Sequence, residues 1–116
     1  MEKPRVLIIG LDGATWRLLE PWIKSKELPN LARVAEESAR GILQSTIPVL
    51  TGAALPSFYT GQNPARTGIF HFVKPDGSLY SYKDITAPAL WEHLAKKGIK
   101  SLVVNVPTTF PPRKIE

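Results

Sequence analysis

The chain has 116 residues, of which 43% are hydrophobic, and it carries a formal net charge of +5. This length is enough for one hydrophobic core but short for most α/β enzymes, so we predict that residues 1–116 form a single domain or part of one. The absence of cysteine excludes disulfides and thiolate metal sites, which leaves oxygen and imidazole groups as metal ligands.

The basic residues are scattered along the chain and are not interleaved with aromatic residues. A nucleic-acid platform requires that interleaving, so we predict no such platform. No apolar run approaches the length of a membrane-spanning helix, and the N-terminus lacks the apolar core of a signal peptide. We therefore expect a cytoplasmic protein without a membrane span.

The first predicted element is a buried parallel strand, because Arg5 to Ile9 is a short β-branched run. It ends in a turn at Asp12-Gly13, which puts a carboxylate just past the end of the strand. Helical spacing of apolar residues begins at Trp16, and Pro21 is expected to end or restart that helix.

A second helix is predicted to open at Pro29 and to close by Gly41. Residues 41–45 are predicted to form the second strand, and a loop leads from it to Thr51. Small and apolar residues from Gly52 to about Tyr59 favour a short helix, with Thr51 at its N-cap or at the residue beside it.

The turn formers Pro75-Asp76-Gly77 predict a loop or hairpin insertion over residues 70–86, covering the site. A helix is predicted from Pro88 to Lys97, stopping at Gly98, and residues 99–106 form the last predicted strand. Strands that alternate with helices predict a mostly parallel sheet covered on both faces, which is a three-layer α/β/α fold. An uncovered edge of that sheet would offer a surface for a homo-oligomer.

Ligands bind beyond the carboxyl ends of parallel strands, where we expect Asp12, the loop before Thr51, and Asn105 to meet. A threonine hydroxyl needs activation before it attacks, and coordination to a metal held by Asp12 would provide it. The helix start after Thr51 would point backbone N–H groups at an anion such as a phosphoryl group. Gly52 and Asn105 are therefore candidate substrate-binding residues.

Each of these residues also has a simpler interpretation. An Asp-Gly pair after a strand commonly forms a turn, and a threonine that opens a helix commonly serves as its cap. The two histidines, His71 and His93, are expected to pack or to be solvated rather than to bind metal. The residue pattern by itself leaves both interpretations of Asp12 and Thr51 open.

The order of three segments resembles the start of the type I phosphodiesterase/nucleotide pyrophosphatase family, within the alkaline phosphatase superfamily. The segments are VLIIGLDGATW, LPNLARVAEESARGILQSTIPVLTGAALPSFYTGQNPARTGIFHF, and KKGIKSLVVNVPTTFPP. The spacing from Thr51 to Thr60-Gly61, with Asn63-Pro64 behind it, is more specific than any single motif. The resemblance implies an alkaline-phosphatase-like fold, of which this chain is the N-terminal portion.

The resemblance also implies two divalent ions, zinc or alternatively manganese or magnesium, and attack by Thr51 on the phosphorus of a small-molecule phosphoester. The substrate would be a phosphodiester or a nucleotide pyrophosphate. Asp12 and Thr51 would share one ion, and the other ligands would come from downstream sequence, so the chain is expected to be a fragment with little activity alone. Ala54 stands where the eukaryotic pyrophosphatases carry asparagine, and Thr67 stands where many members carry histidine.

Two other functions stay open at this stage. One is a non-catalytic domain of the same fold that binds a phosphorylated ligand or a partner chain. The other is a head-group transferase of the superfamily, which would share Asp12 and Thr51 with the hydrolases.

Overall fold

A computed structural model of the chain describes residues 5–114. The chain divides into two compact units, Met1–Leu43 and Gln44–Glu116. Within residues 5–114 the regular structure is helical, with five α-helices and one 3₁₀ turn.

The first unit contains α1 (Trp16–Lys24) and α2 (Pro29–Glu37), which pack against each other. The Thr15 side chain caps α1. Pro29 begins α2, as predicted. The predicted break at Pro21 is wrong, because α1 runs through that residue. None of the described residues of α1 is buried, so water can bond the carbonyl that the missing proline N–H leaves without a helical donor.

The second unit holds the other helices. These are α3 (Thr51–Thr60), α4 (Pro64–Thr67), the 3₁₀ turn Tyr82–Asp84, and α5 (Leu90–Ala95). Thr51 is the residue directly after the N-cap of α3, which is one of the two predicted positions. Gly61 and Gly68 end α3 and α4 in the left-handed conformation, which glycine adopts without steric cost.

An aromatic cluster forms the core of the second unit. The Tyr59 and Trp91 ring centroids lie 5.0 Å apart, and the Tyr59 and Tyr82 rings meet edge to face at 6.4 Å. Ile69, Ile85 and Ala89 complete the buried set around these rings. The core therefore joins the end of α3 to the 3₁₀ turn and to α5.

A short hairpin lies within the segment predicted as a loop or hairpin. Val73 and Leu79 form an isolated antiparallel bridge, and the Tyr80 N–H donates to the Phe72 carbonyl at 2.9 Å. Gly77 takes a positive φ of 84° in the turn between them.

The predicted alkaline-phosphatase-like α/β/α sheet is wrong for the residues that the structure describes, since they form one isolated bridge and no strand. In the three runs predicted as strands most apolar side chains are exposed, although Val103 and Val106 of the third run are partly buried against the aromatic core. Leu7 is 83% exposed, Ile42 92% and Leu102 90%. β-branched composition predicts a strand only where a neighbouring strand pairs with the backbone and covers the side chains, and residues 5–114 provide no such neighbour.

Candidate functional site

Thr51 opens α3 and is half-buried. Leu50 precedes it as the N-cap in an extended conformation, and the Leu50 carbonyl accepts the N–H groups of Ala53 and Ala54 at 3.0 and 2.9 Å. The first turn is thus formed, and the first N–H groups of a helix carry its partial positive charge. This arrangement is compatible with an anion beside Thr51, whose role as nucleophile stays a prediction.

Gly52 is buried because a backbone segment lies directly against it. A Cβ atom at residue 52 would lie 2.9 Å from the His71 carbonyl carbon and 2.9 Å from the Phe72 nitrogen. No ordinary side chain fits at such distances from backbone atoms, so this position requires glycine. The 71–72 peptide therefore packs on the residue that follows Thr51.

The His71 side chain bonds to its own segment. Its Nδ1 atom accepts the Val73 N–H at 3.2 Å, and the ring is exposed. A ring nitrogen that accepts a hydrogen bond carries no proton, so this bond assigns the proton of the neutral ring to Nε2. His71, which the sequence predicted to pack, therefore lies at the surface in the segment that covers Gly52.

An ion pair fastens the hairpin to the 3₁₀ turn. Lys74 Nζ lies 2.6 Å from Asp84 Oδ1, and Asp84 Oδ2 accepts the N–H and the hydroxyl of Ser81, both at 2.8 Å. The hydrogen bond from Lys74, followed by those from Ser81, lowers the pKa of Asp84 to about 2. The same hydrogen bond raises the pKa of Lys74, so both groups are charged at neutral pH.

Asp12 lies in the other unit, in an exposed turn before α1. Gly13 beside it has a φ of 70°, and the Thr15 N–H donates to the Gly13 carbonyl at 3.0 Å. This is the turn that an Asp-Gly pair favours. The role of Asp12 as a metal ligand stays a prediction.

Asn105 lies in an exposed loop with a φ of 51°, a conformation that asparagine tolerates better than most residues. Three residues later, the Thr108 hydroxyl lies 3.0 Å from the Tyr59 hydroxyl near the C-terminal end of α3. This contact fixes the loop to the same helix that Thr51 opens. The predicted role of Asn105 in substrate binding stays a prediction.

Within residues 5–114 no three side chains of the His, Cys, Asp or Glu type group together as a metal site. Asp12 and Thr51 would supply two ligands, whereas a structural or catalytic zinc ion takes at least three from protein. The described residues therefore do not by themselves fit a centre of two metal ions.

Sequence reasoning missed a polar network beside the aromatic core. Tyr82 Oη accepts the Trp91 Nε1–H at 2.9 Å and donates to Glu92 Oε2 at 3.1 Å, and Arg113 Nη1 lies 3.4 Å from Glu92 Oε1. Burial, together with the nearby Glu92 carboxylate, raises the pKa of Tyr82 to about 12. These residues come from three separate segments of the chain and share no motif, so no sequence signal indicates the network.

The chain matches a known protein family. A family model described as type I phosphodiesterase / nucleotide pyrophosphatase matches residues 6–116, a range that includes Asp12, Thr51 and Asn105. No curated protein and no solved structure matches the chain. Among the described residues, no helix has both the length and the apolar composition needed to cross a membrane.

Proposed function

Because this chain belongs to the type I phosphodiesterase/nucleotide pyrophosphatase family, we propose that it carries the nucleophile of a phosphoester hydrolase, and that this nucleophile is Thr51. The observation that supports the proposal is the position of Thr51 at the first residue of α3. A phosphoryl group bound there meets the positive end of a ten-residue helix, which stabilises negative charge on its oxygens.

The proposed reaction has two steps. The Thr51 oxygen attacks phosphorus, the bond to the leaving alcohol or phosphate breaks, and the hydroxyl proton passes to the departing oxygen. Water then attacks the phosphothreonine, which releases phosphate or a phosphomonoester and restores the hydroxyl. A covalent intermediate of this kind divides one difficult displacement into two easier ones.

We propose that Asp12 and Thr51 bind a divalent ion, with zinc favoured over manganese or magnesium. Such an ion, if bound, would lower the pKa of a bound hydroxyl and stabilise charge on phosphoryl oxygens. As the family resemblance implies, the remaining ligands are proposed to come from sequence downstream of these 116 residues. Residues 1–116 would then hold the attacking half of the site.

The test compares the complete product of the gene with the 116-residue chain, each assayed with zinc or manganese and bis(4-nitrophenyl) phosphate. We expect turnover by the complete product, a loss of about 10³-fold or more for Thr51→Ala, and partial activity for Thr51→Ser, which keeps a hydroxyl. Thr60→Ala at the other end of α3 is the matched control, and its activity should stay within a few-fold of the unchanged protein.

The 116-residue chain is expected to show little or no turnover. Robust turnover by this chain that Thr51→Ala abolishes would refute its proposed incompleteness and keep Thr51 as nucleophile. Full activity of Thr51→Ala in the complete product would refute the nucleophile itself.

A further inference from the structure

The backbone of residues 71–72 lies closer to Gly52 than any side chain at residue 52 would allow. We propose that Gly52 is a positioning residue: it seats the His71–Phe72 peptide against the first turn of α3 and thereby fixes Thr51 for attack. This inference rests on the function proposed above. It assigns to Gly52 an effect on the reaction that requires no contact with the substrate.

The first step of the argument is distance. A Cβ at residue 52 would lie 2.9 Å from the His71 carbonyl carbon, 2.9 Å from the Phe72 nitrogen and 3.2 Å from the His71 oxygen. All three are backbone atoms, which cannot rotate away as the end of a flexible side chain does. Accommodating even one methyl group therefore requires the 71–72 segment or the start of α3 to shift.

The second step is the restraint on the 71–72 segment. The Phe72 carbonyl accepts the Tyr80 N–H at 2.9 Å, and Val73 pairs with Leu79 across the hairpin. The Lys74 ammonium is held at 2.6 Å by Asp84, whose other oxygen caps the 3₁₀ turn. Because the hairpin is anchored in these ways, part of any displacement caused at residue 52 falls on α3.

The third step concerns the helix start. Ala53, which follows Gly52, is fully buried, and its N–H donates to the Leu50 carbonyl at 3.0 Å. Consecutive Cα atoms are about 3.8 Å apart, so a shift at Gly52 is transmitted directly to Thr51. A displacement of about 1 Å between reacting atoms costs about 10²-fold in rate.

The experiment measures steady-state kinetics of Gly52→Ala in the complete gene product, with bis(4-nitrophenyl) phosphate. We expect kcat to fall by about 10- to 100-fold, a larger factor than any rise in KM, because the misaligned nucleophile affects the reaction step more than substrate binding. Gly41→Ala is the matched control, since a Cβ there meets nothing within 4 Å and its φ is not positive; its kinetics should be unchanged.

A second variant keeps the proposal testable if Gly52→Ala does not fold. Lys74→Gln breaks the ion pair with Asp84 without introducing a clash, and we expect a smaller fall in kcat, about three- to ten-fold, again without a matching rise in KM. Lys83→Gln, at an exposed neighbouring lysine, serves as its control.

Two results would overturn the inference: unchanged kcat in folded Gly52→Ala, or losses in Gly52→Ala and Lys74→Gln that appear only as a lower folded fraction. Either result with Thr51→Ala inactive would remove the positioning role and leave the nucleophile in place. Undiminished activity of Thr51→Ala would instead remove the proposed function on which the inference rests.

Discussion

At the scale of single residues, the Tyr82 hydroxyl links the 3₁₀ turn of the second unit to α5 by hydrogen bonds. It accepts one hydrogen bond from the indole of Trp91 and donates another to Glu92. Arg113 adds a hydrogen bond at 2.6 Å to the Tyr82 carbonyl, and its guanidinium carbon lies 4.0 Å from the centre of the Tyr82 ring. One side chain thus connects the 3₁₀ turn, α5 and the C-terminal segment through both polar and aromatic contacts.

Replacing Tyr82 with phenylalanine removes only this hydroxyl and leaves the buried Trp91 N–H without its acceptor. An unsatisfied buried donor costs about 1–3 kcal/mol, so we expect the free energy of unfolding to fall by that amount. Trp91 is the only tryptophan of its unit, so urea unfolding followed by fluorescence, in a chain where Trp16 and Trp22 are phenylalanine, reports on this unit alone. Tyr80→Phe is the control, and an equal loss in both variants would contradict the role of the Tyr82 hydroxyl.

At the scale of elements, the starts of α2 and α3 were predictable because local chemistry determines them, whereas the helix predicted from Pro88 begins only at Leu90. Pro29 at the first position of α2 and Thr51 beside the N-cap of α3 both lie where the sequence placed them. Apolar runs such as 5–9 did not show that a sheet would be absent from the described residues. Whether such a run forms a strand depends on pairing with a segment distant in sequence, and no local pattern shows whether that segment is present. The contact between Gly52 and residues 71–72 is equally non-local, and the sequence indicated only a hairpin over 70–86.

The hairpin anchor gives an expectation for pH. The pKa of Asp84 is depressed to about 2, whereas an unperturbed aspartate titrates near 3.9, so the ion pair with Lys74 stabilises the hairpin fully above about pH 4. That contribution is lost as the pH falls from about 4 through about 2.

The backbone amide of Ser81 donates to Asp84, so its chemical shift reports on this titration in two-dimensional NMR. We expect an apparent midpoint near pH 2 for this amide, and no such titration in Asp84→Asn. Asp76→Asn, which alters the turn of the hairpin, should leave the Ser81 titration in place. A midpoint near 3.9 in the unchanged chain would show that the pair with Lys74 contributes nothing.

At the scale of the whole molecule, the apolar side chains that the structure buries differ from those that the sequence predicted to be buried. Ile69 and Ile85 are fully buried, yet neither belongs to a predicted strand. Leu7 and Leu102, which do belong to predicted strands, are 83% and 90% exposed. Hydrophobicity alone predicted the second pair as core, because a sequence does not show whether a partner covers an apolar run.

The difference can be tested by replacing an apolar residue with alanine at exposed and at buried positions and comparing the free energies of unfolding. Leu7→Ala and Leu102→Ala should change the free energy of unfolding by less than about 0.5 kcal/mol, as substitutions at exposed sites do. Ile85→Ala should cost about 2–5 kcal/mol, because it removes buried methyl groups and leaves a cavity. Urea unfolding monitored by circular dichroism gives all three values on the same chain. A cost for Leu102→Ala equal to that of Ile85→Ala would mean that this run is buried in solution, and the exposure of the predicted strands would then be wrong.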